Sequence, residues 1–208
     1  MERKELFFSL LNKELSKDGF KFVKSKKIFR KKENGNDFFI EYETWPYFFA
    51  IKTHYYIFLK EVEKIKKKAW GEIYQRYYTL GDTKQDIEKT DTEKKVIEVA
   101  KKEIKFYHSF LKDYFKKNSN YEHIDKTLNE IPGKNLHLSF NEILTSYLAI
   151  IVAKLTNNPK IEELFVFYRN VIISLKNEKL FSKTQEEYID ESIVKYDLLV
   201  DYLRKMKK

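Results

Sequence analysis

A histidine set beside a carboxylate is a common device for moving a proton near neutral pH. The stretch Asp37–Leu59, DFFIEYETWPYFFAIKTHYYIFL, holds such a set. Folded as a hairpin, it places His54 opposite Asp37, and it puts Glu41 and Glu43 on one face, two positions apart. Both arrangements suit general acid–base work. A plainer reading makes the histidine structural and the carboxylates solvated, with their repulsion relieved by lysines. The plainer reading is the simpler account, because one His–Asp pair arises readily by chance and no pocket is recognisable around it. His108, His123 and His137 have no partner at metal-ligand spacing. A glycine-rich phosphate loop, a zinc-ligand pattern and a nucleophile elbow are all absent, and five glycines lie in the wrong contexts for the first and last. No catalytic residue, metal or cofactor is therefore assigned.

The element that must position these groups is a pair of strands. Asp37–Thr44 and Tyr47–Leu59 are rich in Phe, Tyr, Ile and Thr, which fit a pleated, half-buried surface. Trp45-Pro46 separates them, since proline lacks the amide that a central strand needs. A two-residue loop pairs Thr44 with Tyr47, Ile40 with Ile51, Phe39 with Lys52 and Asp37 with His54. Trp-Pro supplies no residue suited to positive φ, so a longer loop is the open alternative. This register gathers Phe38, Ile40, Tyr42, Ile51, Tyr55 and Ile57 on a core face. The other face carries Phe39, Glu41, Glu43, Phe48, Lys52, His54, Tyr56 and Phe58, with Glu41 diagonal to Lys52. Aromatics interleaved with charges are what interface centres and rims are made of, so these eight residues form the candidate binding surface. The bland alternative is a wet sheet face.

Elements on either side frame that hairpin. Glu2–Lys17 is amphipathic and ends at Asp18-Gly19. Phe20–Lys24 and Ile28–Lys32 read as short strands, and Asn34-Gly35 is a strong turn signal before the third. Lys60–Tyr78 reads as a helix with the basic run Lys64, Lys66, Lys67 and Lys68 largely opposite its apolar side. Leu80–Thr90 is polar and contains Gly81, which suits a linker or loop. Thr90–Glu93, Ser119–Glu122 and Ser139–Glu142 have capping-box spacing before amphipathic segments. Phe140–Leu155 is the most apolar helix and the expected centre of the helical half. The fold class is α+β: an N-terminal helix and a four-stranded antiparallel meander, then a bundle of about five to six helices. The expected organisation is a sheet subdomain over residues 1–80, a linker over 81–91 and a helical subdomain over 92–208, packed together as one structural unit.

Gly19-Phe20-Lys21 entering a strand, Phe29-Arg30 on the next, the long hydrophobic pair and Trp70 on a helix carry a resemblance. Over its first eighty residues the chain resembles an uncharacterised family of small bacterial α+β proteins, a domain of unknown function. That family has no established activity, so the resemblance brings no catalytic residue. Some such proteins are encoded beside secreted toxins, which implies an immunity or toxin-antitoxin role.

Composition narrows the classes further. With no cysteine there is no disulfide framework and no thiolate metal site, which suits the cytoplasm. The N-terminus carries acids throughout and is not read as a signal peptide, and no apolar run reaches membrane-span length, so no membrane partner is expected. Charge is +9, from 41 basic and 32 acidic residues, and the excess is concentrated around the sheet. Only five of the 41 are Arg, the residue best shaped to read bases and phosphates, and abundant Lys, Asn, Ile, Tyr and Phe match an AT-rich coding sequence. Three functions follow in order: a binding protein whose partner is another protein with an acidic surface, a weak nucleic-acid binder using the basic sheet region, and an enzyme around His54.

Overall fold

A computed structural model of the chain describes residues 2–44, 50–71, 80–138, 141–177 and 183–207. It divides into two compact units, Met1–Phe58 with Gly81–Lys117, and Leu59–Leu80 with Asn118–Lys208. The boundaries at 80 and 92 expected from sequence are thus replaced by interleaved ones. The helix after the hairpin belongs with the later helices, and the first long helix after residue 90 belongs with the sheet.

In the first unit, α1 (Arg3–Leu15) precedes β1 (Lys21–Val23), β2 (Ile28–Glu33), β3 (Asn36–Thr44) and β4 (Ala50–Phe58). The antiparallel sheet has five strands rather than four, because Leu80–Lys89 is β5, hydrogen-bonded beside β4. The expected linker over 81–91 is therefore largely strand. The Asn34-Gly35 turn has φ of +49° and +79°, as a tight hairpin with Asn-Gly requires. Thr44 pairs with Ile51 and Asp37 with Phe58, a slip of four residues from the two-residue-loop register. Four is even, so every side chain keeps its expected face. Residues 45–49, including Phe48, lie outside the described ones.

The apolar face is buried under helix. Phe7 and Phe8 of α1 stand edge-on to Tyr42, at 5.3 and 6.1 Å between ring centres. α3 (Glu93–Phe106), a π-helical turn at Tyr107–Leu111 and α4 (Lys112–Lys117) run on as one segment. It brings Phe106, Phe110 and Tyr114 around Tyr55, and Phe115 against Phe20 and Phe38. Thr92, rather than Thr90, caps α3, its hydroxyl accepting from the Lys95 amide at 3.1 Å.

The second unit holds α2 (Lys60–Trp70), α5 (Tyr121–Asn129), α6 (Glu142–Leu155), α7 (Ile161–Ser174) and α8 (Lys183–Lys205). α2 ends at Trp70, where Gly71 takes φ +68° and its amide returns to Lys67 O; the rest of the helix expected to Tyr78 lies outside the described residues. Lys66 is buried against Glu63 rather than exposed with the other lysines. Asn120 and Asn141 cap α5 and α6, one position beyond Ser119 for the first; Ser139 is outside the described residues. α6 is the centre, as its composition predicts, with every side chain from Thr145 to Ala153 buried. Three buried tyrosines fasten neighbours together: Tyr147 donates to Ser192 O, Tyr168 to Leu128 O and Tyr196 to Phe165 O. Among the described residues no strand follows β5, and no helix is long and apolar enough to cross a membrane.

Candidate functional site

The mixed face of the β3–β4 hairpin lies opposite α1 and α3 on the sheet. Phe39 and Tyr56 are direct cross-strand partners, and their rings stack at 5.0 Å. The Arg30 guanidinium of β2 sits over the Phe39 ring at 5.4 Å and binds Asp37 Oδ2 at 2.6 Å. The Tyr56 hydroxyl donates to Glu41 Oε2 at 2.8 Å. Tyr56 and Asp37 are buried, Phe39, Glu41, Lys52, His54 and Phe58 are half-buried, and Glu43 is exposed.

This arrangement corrects the expected Asp37–His54 pair and gives Glu41 and Lys52 other direct partners. Asp37 does not meet His54; the four-residue slip brings Phe58 opposite it, and Arg30 takes its carboxylate. Glu41 is engaged by Tyr56, while Lys52 lies directly opposite Glu43 and stays diagonal to Glu41, on its other side. His54 lies opposite Glu41 but turns to Glu43, with Nε2 3.3 Å from Glu43 Oε2 and Nδ1 2.7 Å from the Thr83 hydroxyl. A carboxylate only accepts, so Nε2 carries the proton, and in the neutral ring Nδ1 accepts from Thr83. Both ring nitrogens are then occupied.

Two residues of this surface escaped the sequence reading. Arg30 was within reach of it, because the Asn34-Gly35 turn fixes Arg30 opposite Phe39 and so on the same face. Thr83 had no signal, because β5 itself reads as a loop. The position of β5 follows from its contacts. Thr83 meets His54, Lys84 shares Glu103 with Thr53, and Gly81 packs on Tyr56, so the strand runs antiparallel to β4. Asp82 falls beside Tyr55, whose hydroxyl is pushed up to about 12 by burial and then by that carboxylate.

Under the opposite face, Glu103 of α3 is buried and accepts from Thr53 at 2.8 Å and from Lys84 at 2.7 Å. The adjacent Tyr42 hydroxyl is pushed well up, by burial first and by Glu103 second. Buried and hydrogen-bonded within the sheet and its covering helix, this cluster is structural. Among the described residues no group of three His, Asp or Glu side chains could hold a metal ion.

No family model, curated protein or solved structure matches the chain.

Proposed function

We propose that this chain is a non-catalytic protein-binding module, of the immunity or antitoxin kind, that acts in the cytoplasm by occluding another protein. The observation that carries the reading is the layered set Arg30–Phe39–Tyr56, in which a half-exposed aromatic ring is held between a guanidinium and a buried ring. Side chains already fixed in the free protein lose little freedom on binding, which is what a recognition surface needs. Lys21 and Lys32 are exposed and share this face with Arg30, while Glu43 is exposed at the far end of β3. That polarity favours a partner with an acidic surface and fixes its orientation.

The test is affinity capture from the native host on the immobilised chain, followed by titration of the purified captured protein. Phe39→Ala is expected to weaken binding at least tenfold, and Lys21→Glu with Lys32→Glu to slow association. Circular dichroism verifies that each variant is folded. The reading fails if no captured protein binds the purified chain, or if both variants bind as wild type does. Sequence-selective DNA or RNA binding that persists at physiological salt would put a nucleic-acid partner in its place, since lysine contacts alone are steeply salt-dependent.

A further inference from the structure

In the second unit, an open groove of about 690 Å³ runs between Trp70 and the outer face of α8. Its floor is apolar: Val194 is 60% exposed and Leu198 48% exposed. The indole N–H of Trp70 donates to Lys195 O at 2.7 Å, and its ring stands against Tyr147 at 5.2 Å, so the wall of the groove is fixed. Glu187, Asp190 and Glu191 form the rim, with Lys195 the one cation among the described residues lining the groove. Lys176 pairs with Asp190, whereas Glu187 and Glu191 have no ion-pair partner among the described residues.

We propose that this groove docks a basic amphipathic segment of a partner protein, with one or two bulky apolar side chains between Trp70, Val194 and Leu198 and lysine or arginine side chains against the rim. Charge selects that occupant. From Glu186 to Asp201, α8 carries six carboxylates and one lysine; with Asp190 paired to Lys176 and Asp197 to Arg169, four carboxylates remain against that lysine inside a chain of +9. A second copy is the natural rival for an exposed helix face. Laid antiparallel about Val194, however, it would set Glu187 against Asp201, so self-pairing brings like charges together at both ends of the contact. An acidic rim likewise repels nucleic acid. A helix with apolar residues at i, i+4 and i+7 and cations on both flanks satisfies the floor and the rim together. The groove and the hairpin face share no residue, so binding at either can be lost without the other.

The test uses the full chain with Trp45→Phe, which leaves Trp70 as its single tryptophan. The probe is a synthetic peptide of about four helical turns with leucines at i, i+4 and i+7 and lysines on both flanks; the control carries glutamates in place of the lysines. The lysine peptide is expected to bind with a shift in Trp70 emission, and the glutamate peptide is not. Val194→Ser with Leu198→Ser should weaken binding at least tenfold. Glu187→Gln with Glu191→Gln should weaken it about threefold or more and flatten its salt dependence. Equal binding of the two peptides, binding of neither, or indifference to both double variants would overturn the proposal. So would concentration-dependent self-association of the chain that Leu198→Ser abolishes, since it would assign the groove to a second copy.

Discussion

Lys84 of β5 places its ammonium 2.7 Å from Glu103 Oε1, and the other oxygen of that buried carboxylate accepts from Thr53 of β4 at 2.8 Å. One α3 side chain thus joins two neighbouring strands. Removing a single member of such a set leaves the others desolvated without a partner, which costs more than the set contributes when whole. Glu103→Ala is expected to lower stability by about 2–4 kcal/mol. Adding Lys84→Met and Thr53→Val should recover part of the loss. Urea unfolding measures both, and a Glu103→Ala midpoint equal to wild type would show that the ion pair is not holding β5.

Gly81 makes a second, steric demand on the same strand. A Cβ at this position would lie 2.6 Å from both Tyr55 O and Tyr56 Cβ. The first of these atoms is backbone and cannot turn aside. Gly81→Ala should therefore cost about 1–3 kcal/mol and loosen β5 selectively. Gly35 makes a useful contrast, with nothing within 4 Å of its Cβ position, so that Gly35→Ala pays only for its φ of +79°. Amide hydrogen exchange resolves the two: faster exchange confined to β5 is expected for Gly81→Ala alone.

These two residues also mark where the sequence stops being legible. The sheet face, the strands β1 to β4 and the central burial of α6 follow from alternation and composition, which depend on local chemistry. β5, LGDTKQDIEK, has no alternating apolar face. Its strand conformation depends on Thr83 meeting His54, Lys84 meeting Glu103 and Gly81 fitting against Tyr56, all contacts made across the fold. The hairpin shows the same division. Face membership was readable because any even slip preserves it, but the pair Asp37–His54 required a register that only the loop length settles. Helix starts were readable to within one or two residues, since Thr92, Asn120 and Asn141 each had a neighbour of similar capping chemistry.

Asp18 gives the fold an acid-sensitive contact. The Lys112 ammonium at 2.9 Å and the Tyr107 hydroxyl at 2.9 Å hold its carboxyl below the ordinary range, against a smaller opposing effect of burial. A carboxyl depressed in the folded state adds stability above its unfolded value, and that stability is lost as pH falls through the folded one. Asp18→Asn should then cost up to about 1 kcal/mol at pH 7 and close to nothing near pH 2. Urea unfolding at both pH values tests this, and a difference that grows on acidification would reverse the assignment.

Tyr56 and Phe39 stack on each other yet should answer to different measurements. Tyr56 is 2% exposed and gives its hydroxyl to Glu41, so no partner can reach it. Phe39 is half-buried and presents what remains of the stack to solvent. Tyr56→Phe should lower stability by about 0.5–1.5 kcal/mol through the lost hydrogen bond and leave partner affinity within about threefold. Tyr56→Ala should cost about 3–5 kcal/mol by opening a cavity beneath Phe39. Phe39→Ala should have the reverse profile, a smaller loss of stability and at least a tenfold loss of affinity, carried by faster dissociation. Lys52→Ala should change affinity little, because a partly exposed charge is worth about 0–1 kcal/mol. Urea unfolding and surface-immobilised kinetics with the captured partner separate the two effects. If Phe39→Ala binds with the wild-type dissociation rate while folded, the stack is an internal support of the sheet, and the partner meets the chain elsewhere.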